Sequence, residues 1–439
     1  MKIILIFPRY EHGSATYKDK ESWTSNVYSY PELTLPYIAA LTPREHTVEI
    51  IDESHEDIDY NQKVDLVGIS CFTTLAPRVY QIADEFRRRG IKVVLGGWHP
   101  TALPEEAKQH ADTVVIGEAE LIWPELLHDL SKNKLKSFYK SEKEFDMSIM
   151  PPARRDLLKH MTFLGSVISS KGCIYRCEFC AITNSPYHKV RHRPIKNVVE
   201  EIRNIPNKVF YFHDPSLTND PKYTRELFKE LIQQKIHKTW IANGNVNELL
   251  KIDDEFLNLS QKAGCTEWFV GFESINQAAL RGCNKTINKV EDFPRIIKRI
   301  HKHGMLVQGG FIFGFDEDTP DIFNATLEKL NAWGIDIAPV SILTPYPGTP
   351  LYDRLEREQR ITSKEWSRYN QAEVVFKPKN MSENELFEGT RKVAKEFYSM
   401  PNVLSRAAKV MMTCKHPTGW TTIISNFANR RHYKGDYNF

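Results

Sequence analysis

The sequence lacks an apolar run that approaches the ~18–20 residues of a membrane-spanning helix. It also lacks a dominant charge, because 59 basic and 56 acidic residues leave a formal net charge of +3. That balance gives no electrostatic case for nucleic acid as a partner. The first apolar stretch, residues 1–7, is too short for a signal peptide and predicts a strand. We therefore expect a cytoplasmic protein without a transmembrane segment.

Cysteine is scarce and does not follow the pattern of a secreted disulfide framework. The chain has seven cysteines, and Cys71, Cys265, Cys283 and Cys414 have no partner at CxxC spacing. These four give no case for a second metal cluster. An odd number of mostly scattered cysteines also favours a reducing compartment.

The other three cysteines stand together in one short segment. Cys173, Cys177 and Cys180 form a CxxxCxxC run directly after an apolar stretch. Three thiolates can hold three irons of a cubane cluster and leave the fourth iron open, whereas electron-transfer clusters are usually bound by four cysteines. The alternative is a zinc site, which needs a fourth ligand, and His188 and His192 are close enough in the sequence to supply one.

The cysteine run resembles the signature of the radical S-adenosylmethionine (radical SAM) superfamily, CxxxCxΦC, and Phe179 has the place of its aromatic residue. The resemblance implies that Cys173, Cys177 and Cys180 bind a [4Fe–4S] cluster whose open iron chelates SAM. It implies that Phe179 lies against the adenine. An electron from a donor such as flavodoxin or ferredoxin would then cleave SAM to methionine and a 5′-deoxyadenosyl radical.

Two later motifs resemble the same superfamily. In the GFES sequence at residues 271–274, the resemblance assigns Glu273 and Ser274 to the ribose or aminocarboxylate of SAM. Residues 310–317 match its GxIxGxxE pattern, which lies near the adenine. The matching residues are Gly310, Ile312, Gly314 and Glu317. Taken alone, this pattern also fits a strand that ends in a glycine turn, and Asp214, after an earlier strand, is a further candidate for the site.

Residues 1–130 predict a doubly wound, Rossmann-like α/β domain, because β-branched runs alternate with amphipathic segments. The predicted strands are residues 3–7, 47–51, 66–70, 93–95 and 113–116. Such sheets bind ligands beyond the carboxyl ends of their strands. Several phrases here resemble the cobalamin-binding domain of one class of radical SAM enzymes. They are PELTLPYIAA at 31–40, DLVGIS at 65–70, GGWHPT at 96–101 and GEAE at 117–120.

This second resemblance implies that cobalamin binds with its base displaced and with its lower face toward residues 72–75. The residues that it assigns to cobalamin are Ser70, Phe72, Thr73, Gly96, Gly97, His99, Gly117 and Glu118. Residues 52–55 do not fit the DxHxxG motif whose histidine coordinates cobalt. We expect His99 to be a hydrogen-bonding loop residue and not an axial ligand. A Rossmann-like domain without a corrin is the alternative.

A second alternation of strands and helices runs from 161 to 350, after a linker at 131–160. Its predicted strands are residues 165–169, 209–212, 239–242, 268–272, 306–313 and 339–343. Six units are too few for a closed eight-stranded barrel, so we expect a partial (β/α)6 barrel with its chemistry at the carboxyl ends. Residues 351–439 are mainly helical in pattern. We expect the aromatic side chains of this region to pack on the barrel, and the alternative is that they line a substrate channel. These residues are Trp420, Phe427, Tyr433, Tyr437 and Phe439.

Together the resemblances imply a cobalamin-dependent radical SAM enzyme. The expected activity is methyl transfer from methylcobalamin to an unactivated carbon of a small-molecule or lipid-like substrate, after the deoxyadenosyl radical removes a hydrogen atom. One alternative is a non-methylating cobalamin enzyme that performs an oxidative cyclisation or a ring rearrangement. Another is an RNA-modifying radical SAM enzyme, for which the sequence offers no basic stripe.

Overall fold

The computed structural model describes residues 1–10, 32–141, 143–160, 162–184, 188–413 and 419–434. Two parallel sheets with flanking helices make up most of this chain, and helices follow at its C-terminal end. The predicted α/β class, with a Rossmann-like domain, a partial barrel and a helical extension, is confirmed. The domain boundaries stay predictions. Of the phrases that predicted cobalamin binding, Pro31 lies outside the described residues.

The first sheet consists of parallel strands in the order β2-β1-β3-β4-β5-β6. Their bounds are β1 Lys2–Phe7, β2 Thr47–Asp52, β3 Leu66–Ser70, β4 Lys92–Gly96, β5 Thr113–Ile116 and β6 Phe138–Lys140. The helices of this part are α1 Thr34–Leu41, α2 Ala76–Arg88, α3 Trp98–Ala102, α4 Pro104–His110 and α5 Trp123–Ser131. The sequence predicted all of these strands except β6, whose three residues bury a single side chain, Tyr139, and so leave no readable pattern.

Strand order reverses between β1 and β3, which are neighbours in the sheet. Ile3, Ile4 and Ile6 of β1 are fully buried, as expected for a parallel strand covered on both faces. A ligand crevice opens outside the carboxyl ends of the strands at such a reversal. The loop after β3 begins here, so the predicted cobalamin loop lies at this crevice.

The second sheet is also parallel, with the order β14-β13-β12-β11-β10-β7. The bounds are β7 Gly165–Val167, β8 Ser170–Lys171, β9 Arg191–His192, β10 Val209–Phe212, β11 Thr239–Gly244, β12 Cys265–Glu273, β13 Leu306–Phe313 and β14 Val340–Ile342. Strands β8 and β9 form a separate antiparallel hairpin. The helices are α6 Ile195–Asn204, α7 Pro221–Gln233, α8 Val246–Lys251, α9 Asp254–Lys262, α10 Gln277–Gly282, α11 Phe293–Lys302 and α12 Asp321–Trp333.

The barrel core lies between this sheet and its helices. Trp240 is fully buried, and its ring meets those of Phe212 and Trp268 edge-on at centroid distances of 5.3 and 5.8 Å. Truncation of such a tryptophan to alanine costs about 3–5 kcal/mol. The loops at the carboxyl ends of the strands are therefore carried by a rigid, densely packed base.

The C-terminal helices are α13 Pro350–Arg357, α14 Glu383–Phe397, α15 Met400–Thr413 and α16 Gly419–Lys434. Helix α14 begins with a capping box: the Glu385 amide donates to Ser382 Oγ at 3.2 Å and the Ser382 amide donates to Glu385 Oε2 at 2.8 Å. The Ala338 amide before β14 donates to Tyr398 Oη at 3.1 Å, which ties the end of α14 to the barrel. Among the described helices, none has the length and apolarity that a membrane span requires.

Candidate cofactor site

The loop after β8 carries the three predicted cluster ligands. Gly172 precedes Cys173 with φ +89°, and a Cβ at this position would lie 2.2 Å from the carbonyl oxygen of Lys189. Only glycine accepts this conformation and this approach without strain. Further along the loop the Cys180 amide donates to the Cys177 carbonyl at 3.1 Å, so these two cysteines share one tight turn.

The donor chemistry of this loop fits an iron–sulfur cluster. Cys177 is buried, and Cys173 and Cys180 are half-buried. Burial raises the pKa of the Cys177 thiol to about 12, an effect that the nearby Lys285 ammonium opposes. Iron binding needs thiolates, so cluster assembly here must release protons. In the described part of the chain no three His, Cys, Asp or Glu side chains lie close enough together to bind one metal ion. This does not conflict with a cubane cluster, because each of its cysteines binds a different iron.

The end of α10 holds the cysteine loop in place. The Glu178 amide donates to the Cys283 carbonyl at 3.0 Å, and Asn284 Nδ2 donates to the Arg176 carbonyl at 2.7 Å. The Cys283 thiol is buried and donates to the Leu280 carbonyl at 3.6 Å. Sequence reasoning left Cys283 without a role, because its position beside the loop depends on a contact between segments about 100 residues apart.

Phe179 and the GxIxGxxE segment meet in one cleft. The rings of Phe179 and Phe315 contact edge-on with centroids 6.1 Å apart, and Leu343 also lines the cleft. A Cβ at Gly282 would lie 2.5 Å from Glu317 Oε1, so the Glu317 carboxylate lies against bare backbone. An apolar slot with a carboxylate at its edge suits a nucleoside, and the two predicted adenine-side motifs are thus brought together.

The glycines of the GxIxGxxE segment also have packing roles. A Cβ at Gly310 would lie 2.9 Å from the Phe269 ring, and Gly314 has φ +105°. The Gly314 amide donates to Asp318 Oδ2 at 3.0 Å, and burial raises the pKa of Asp318 to about 7. Ile312 is half-buried between these two glycines on β13. Structural and cofactor interpretations of this segment are therefore compatible.

Glu273 ends β12 in an unusual backbone conformation. Its φ is +65°, which costs about 1–3 kcal/mol for a residue with a Cβ and is typical of functional sites. Its carboxylate pairs with the buried ammonium of Lys285, which also donates to the Gly271 carbonyl at 3.0 Å. The adjacent Ser274 is buried, and its Oγ accepts the Asn276 amide at 3.0 Å. Lys285 was not predicted, because its sequence surroundings contain no recognised motif.

Asp214 lies beneath the start of the cysteine loop. It is fully buried, and its carboxylate accepts the Ser169 amide at 2.8 Å and the hydroxyls of Ser169 and Ser170 at 2.6 and 2.5 Å. Burial raises the pKa of this carboxyl. The geometry gives Asp214 a role in fixing the end of β7 to β10, close to the cysteines but directed away from open space.

The predicted cobalamin loops of the first sheet pack closely against each other through glycine residues. Gly97 has φ +113°, and a Cβ there would lie 2.7 Å from the Cys71 carbonyl oxygen. The Cys71 amide donates to the Gly96 carbonyl at 2.8 Å, so the loops after β3 and β4 are joined, and Gly117 after β5 has φ +84°. Of the residues predicted to contact cobalamin, Phe72 is half-buried and Ser70 and Thr73 are buried. Their contact with cobalamin stays a prediction.

His99 is fully buried behind these loops. Its Nε2 lies 3.1 Å from both Tyr80 Oη and Glu106 Oε1, and Trp366 Nε1 donates to the same carboxylate oxygen at 2.9 Å. Among the described residues His99 Nδ1 has no hydrogen-bond partner. This geometry matches the predicted hydrogen-bonding role of His99, while a contact with cobalamin stays a prediction.

Two ion pairs join the carboxyl-end loops of the two sheets. Arg191 donates to Glu118 through both Nη atoms, at 2.8 and 2.6 Å, and Lys171 pairs with Glu120 and lies 3.8 Å from Glu118. We call these four residues the interdomain clamp. Because Glu118 and Glu120 follow β5 and Lys171 directly precedes the cysteine loop, the clamp holds the predicted cobalamin and cluster loops against each other.

A buried network on α6 reinforces this arrangement. Glu201 accepts from Tyr37 Oη of α1 at 3.1 Å, pairs with Arg193 at 2.6 Å and pairs with Arg155 at 2.5 Å. Arg193 and Glu201 are almost completely excluded from solvent. The first domain, the linker and the barrel therefore meet on one carboxylate, which fixes their relative orientation.

Comparisons with known proteins agree with both halves of the site. The model of the radical SAM superfamily matches residues 167–330, that of the B12 binding domain matches residues 25–127, and that of a domain of unknown function (DUF4070) matches residues 349–430. Among solved structures, the radical S-adenosylmethionine methyltransferase TsrM from Kitasatospora setae, with cobalamin and a [4Fe–4S] cluster bound, superposes with a TM-score of 0.70 at 15% identity and covers 99% of each chain.

Two relatives that match nearly the full chain are bacteriochlorophyllide methyltransferases. Bacteriochlorophyllide d C-12(1)-methyltransferase from Chlorobaculum tepidum is 30% identical over 97% of this chain and 96% of its own, and the C-8(2)-methyltransferase from the same organism is 31% identical over 93% of each. An anaerobic magnesium-protoporphyrin IX monomethyl ester cyclase from Cereibacter sphaeroides is 24% identical over 91% of this chain and 70% of its own. The chain belongs to the cobalamin-dependent radical SAM enzymes, whose cofactors are a [4Fe–4S] cluster, SAM and cobalamin.

Proposed function

We propose that this enzyme transfers a methyl group to an unactivated carbon of a hydrophobic small molecule. The interdomain clamp supports the proposal, because it joins the loop after β5 to the segment that carries the cysteines. When bound, the cluster and SAM supply a carbon radical and cobalamin supplies the methyl group. The two tetrapyrrole methyltransferases, which match nearly the whole chain, support methyl transfer over other radical outcomes.

The proposed residue roles follow the geometry of the loops. Cys173, Cys177 and Cys180 hold the cluster, and Phe179 lies against the adenine. The other proposed SAM residues are Glu273, Ser274, Gly310, Ile312, Gly314 and Glu317. The proposed cobalamin residues are Ser70, Phe72, Thr73, Gly96, Gly97, His99, Gly117 and Glu118. Lys285 joins the SAM group as a positioning residue, because it orients the Glu273 carboxylate.

A second charged network closes the outer side of the SAM cleft. Arg354 of α13 donates to Glu178 and to Asp316, each at 2.7 Å, and Arg360 donates to Asp316 at 2.7 Å. Burial works to raise the pKa of Asp316, but the hydrogen bonds and charges of the two arginines outweigh it and lower that pKa. The network ties the cysteine loop to the GxIxGxxE segment. The proposed reaction needs a dry pocket and near-contact geometry, and this network would help to restrict the access of water.

The substrate class and the electron donor complete the proposal. A polycyclic or lipid-like substrate agrees with the tetrapyrroles in the names of the related methyltransferases. A flavodoxin or ferredoxin would supply the electron. Free cysteines that bind a cluster are expected in a reducing compartment, so we propose that the enzyme is cytoplasmic.

The test uses SAM that carries a labelled methyl group. Anaerobic, reconstituted enzyme is incubated with this SAM, a reductant and a panel of chlorophyllides, porphyrins and polycyclic lipids. Label in the product supports methyl transfer, and the Cys177→Ala variant should give none. A product that loses hydrogen and gains no label would contradict methyl transfer and favour the oxidative cyclisation that the cyclase relative suggests.

A further inference from the structure

The C-terminal helices carry most of the exposed apolar side chains in the described residues. Among all described residues twelve large apolar side chains are exposed, and seven of these twelve lie on α15 and α16. These seven, which we call the C-terminal apolar face, are Met400, Leu404, Met411, Met412, Trp420, Ile424 and Phe427. The most exposed are Met412 at 73% and Trp420 at 60%. Such a concentration on two packed helices marks an interaction surface.

On α16 the usual direction of amphipathicity is partly inverted, although Ile423 is buried beside Leu306 and Val410. Trp420, Ile424 and Phe427 follow one another at helical spacing and are exposed. At 100° per residue the opposite side of the helix carries the polar residues, and these are the buried ones. They are Thr422, Ser425 and Asn426, each no more than 2% exposed.

Specific hydrogen bonds fix this orientation. Thr422 Oγ1 donates to Glu267 Oε2 of β12 at 3.2 Å, and Asn426 Nδ2 donates to the Asp336 carbonyl at 3.0 Å. Asn426 Oδ1 also accepts from the buried Arg406 of α15 at 3.0 Å. A rotation of α16 that buried the apolar face would leave these groups without partners, at a cost the apolar contacts would have to exceed. The outward position of the apolar face is therefore built into the fold.

The charged residues on these two helices have one sign. Helices α15 and α16 contain five basic residues and no aspartate or glutamate; the basic residues are Arg406, Lys409, Arg430, Arg431 and Lys434. Lys409 and Arg431 are exposed, and Arg431 follows Phe427 on the apolar side of α16. Exposed Trp, Phe and Met beside Lys and Arg are typical of helices that lie in the plane of an anionic membrane.

We infer that the C-terminal apolar face binds the surface of an anionic membrane. A second copy of the chain fits less well, because a two-fold contact would bring the same basic helices together without an acidic residue on either helix. The helices would lie in the headgroup region without spanning the bilayer. This inference does not depend on methyl transfer, although it would bring the enzyme to the phase in which a hydrophobic substrate dissolves.

Vesicle flotation tests the inference with the full-length holoenzyme. The wild type should float with vesicles of phosphatidylglycerol and phosphatidylcholine, and much less with phosphatidylcholine alone or at high salt. Exchange of Trp420, Ile424 and Phe427 for serine should weaken binding about tenfold or more. The matched control exchanges Ile149 and Ile232, two exposed residues outside the face, for serine and should bind like the wild type.

A second variant separates charge from apolar contact. Lys409→Glu with Arg431→Glu alters only exposed positions and should abolish the preference for anionic vesicles. Reductive SAM cleavage, measured for all variants, reports that each is folded and loaded. Failure of the wild type to bind anionic vesicles at low salt would overturn the inference. The inference would also be overturned if the wild type sedimented as a dimer and only the triple serine variant sedimented as a monomer, because the face would then bind a second copy of the chain.

Discussion

Loss of Arg191 should uncouple the two halves of the enzyme. Glu118 and Arg191 are 14% and 10% exposed and share two hydrogen bonds, so the Arg191→Met variant leaves a mostly buried carboxylate without its main partner. Removal of one member of a buried pair costs about 3–5 kcal/mol. Lys171 lies 3.8 Å from Glu118 and still offsets part of its negative charge in the variant. We therefore expect a loss of about 2–3 kcal/mol in the free energy of unfolding.

The loss is measured by denaturant unfolding of the apo protein, together with hydrogen exchange of the β8–β9 hairpin and of the loop after β5. Faster exchange should be confined to these two segments. In the loaded enzyme, product formed per 5′-deoxyadenosine should fall while SAM cleavage continues. A double variant with Glu118 and Arg191 interchanged should recover part of the stability. Unchanged unfolding and unchanged exchange in Arg191→Met would refute the assignment of the clamp.

The clamp should also weaken in acid. Burial works to raise the pKa of Glu118, but the hydrogen bonds from Arg191 and the charge of Lys171 outweigh it, so that the pKa is lowered. A group with a lowered folded-state pKa contributes fully above its unfolded pKa, about 4.3 for glutamate, and loses its contribution as the pH falls through the folded value. The difference in unfolding free energy between wild type and Glu118→Gln should therefore shrink at acid pH. A difference that stays constant with pH would contradict this sign.

Substitutions at three positions test the cofactor loops. Cys177→Ala should abolish reductive SAM cleavage and reduce bound iron, and full cleavage would exclude Cys177 as a ligand. Glu273→Ala leaves the buried Lys285 ammonium unpaired and should cost about 3–5 kcal/mol in unfolding free energy and weaken SAM binding, whereas Glu273→Gln should recover part of the binding. Gly97→Ala combines φ +113° with a Cβ 2.7 Å from the Cys71 carbonyl, so corrin binding, followed by absorbance, should weaken; unaltered binding would show that this loop does not hold cobalamin.

The local part of the architecture could be predicted from the sequence. Buried parallel strands are continuous β-branched runs, so the strands of both sheets except β6 were found within a few residues of their bounds. The cysteine, GFES and GxIxGxxE motifs were located by their resemblance to the superfamily. Contacts between distant segments leave no such pattern. The pairing of Glu118 with Arg191, and the positions of Lys285 and Cys283, depend on how loops meet after folding.

The orientation of α16 shows a different limit. The preferred prediction, that its aromatic residues pack on the barrel, is wrong for Trp420 and Phe427, because both rings are exposed. A pattern of apolar residues predicts a helix face but not the direction in which that face points. Here the hydrogen bonds of Thr422 and Asn426 set the direction. Tyr437 and Phe439 lie outside the described residues, as does Cys414.

The central claim is that one chain holds a cluster with an open iron opposite a corrin. Iron, sulfide and cobalamin content of the anaerobically purified protein tests it most directly. The account predicts about four irons, about four sulfides and about one corrin per chain. Zinc in place of iron, or iron without corrin after reconstitution with excess cobalamin, would contradict it.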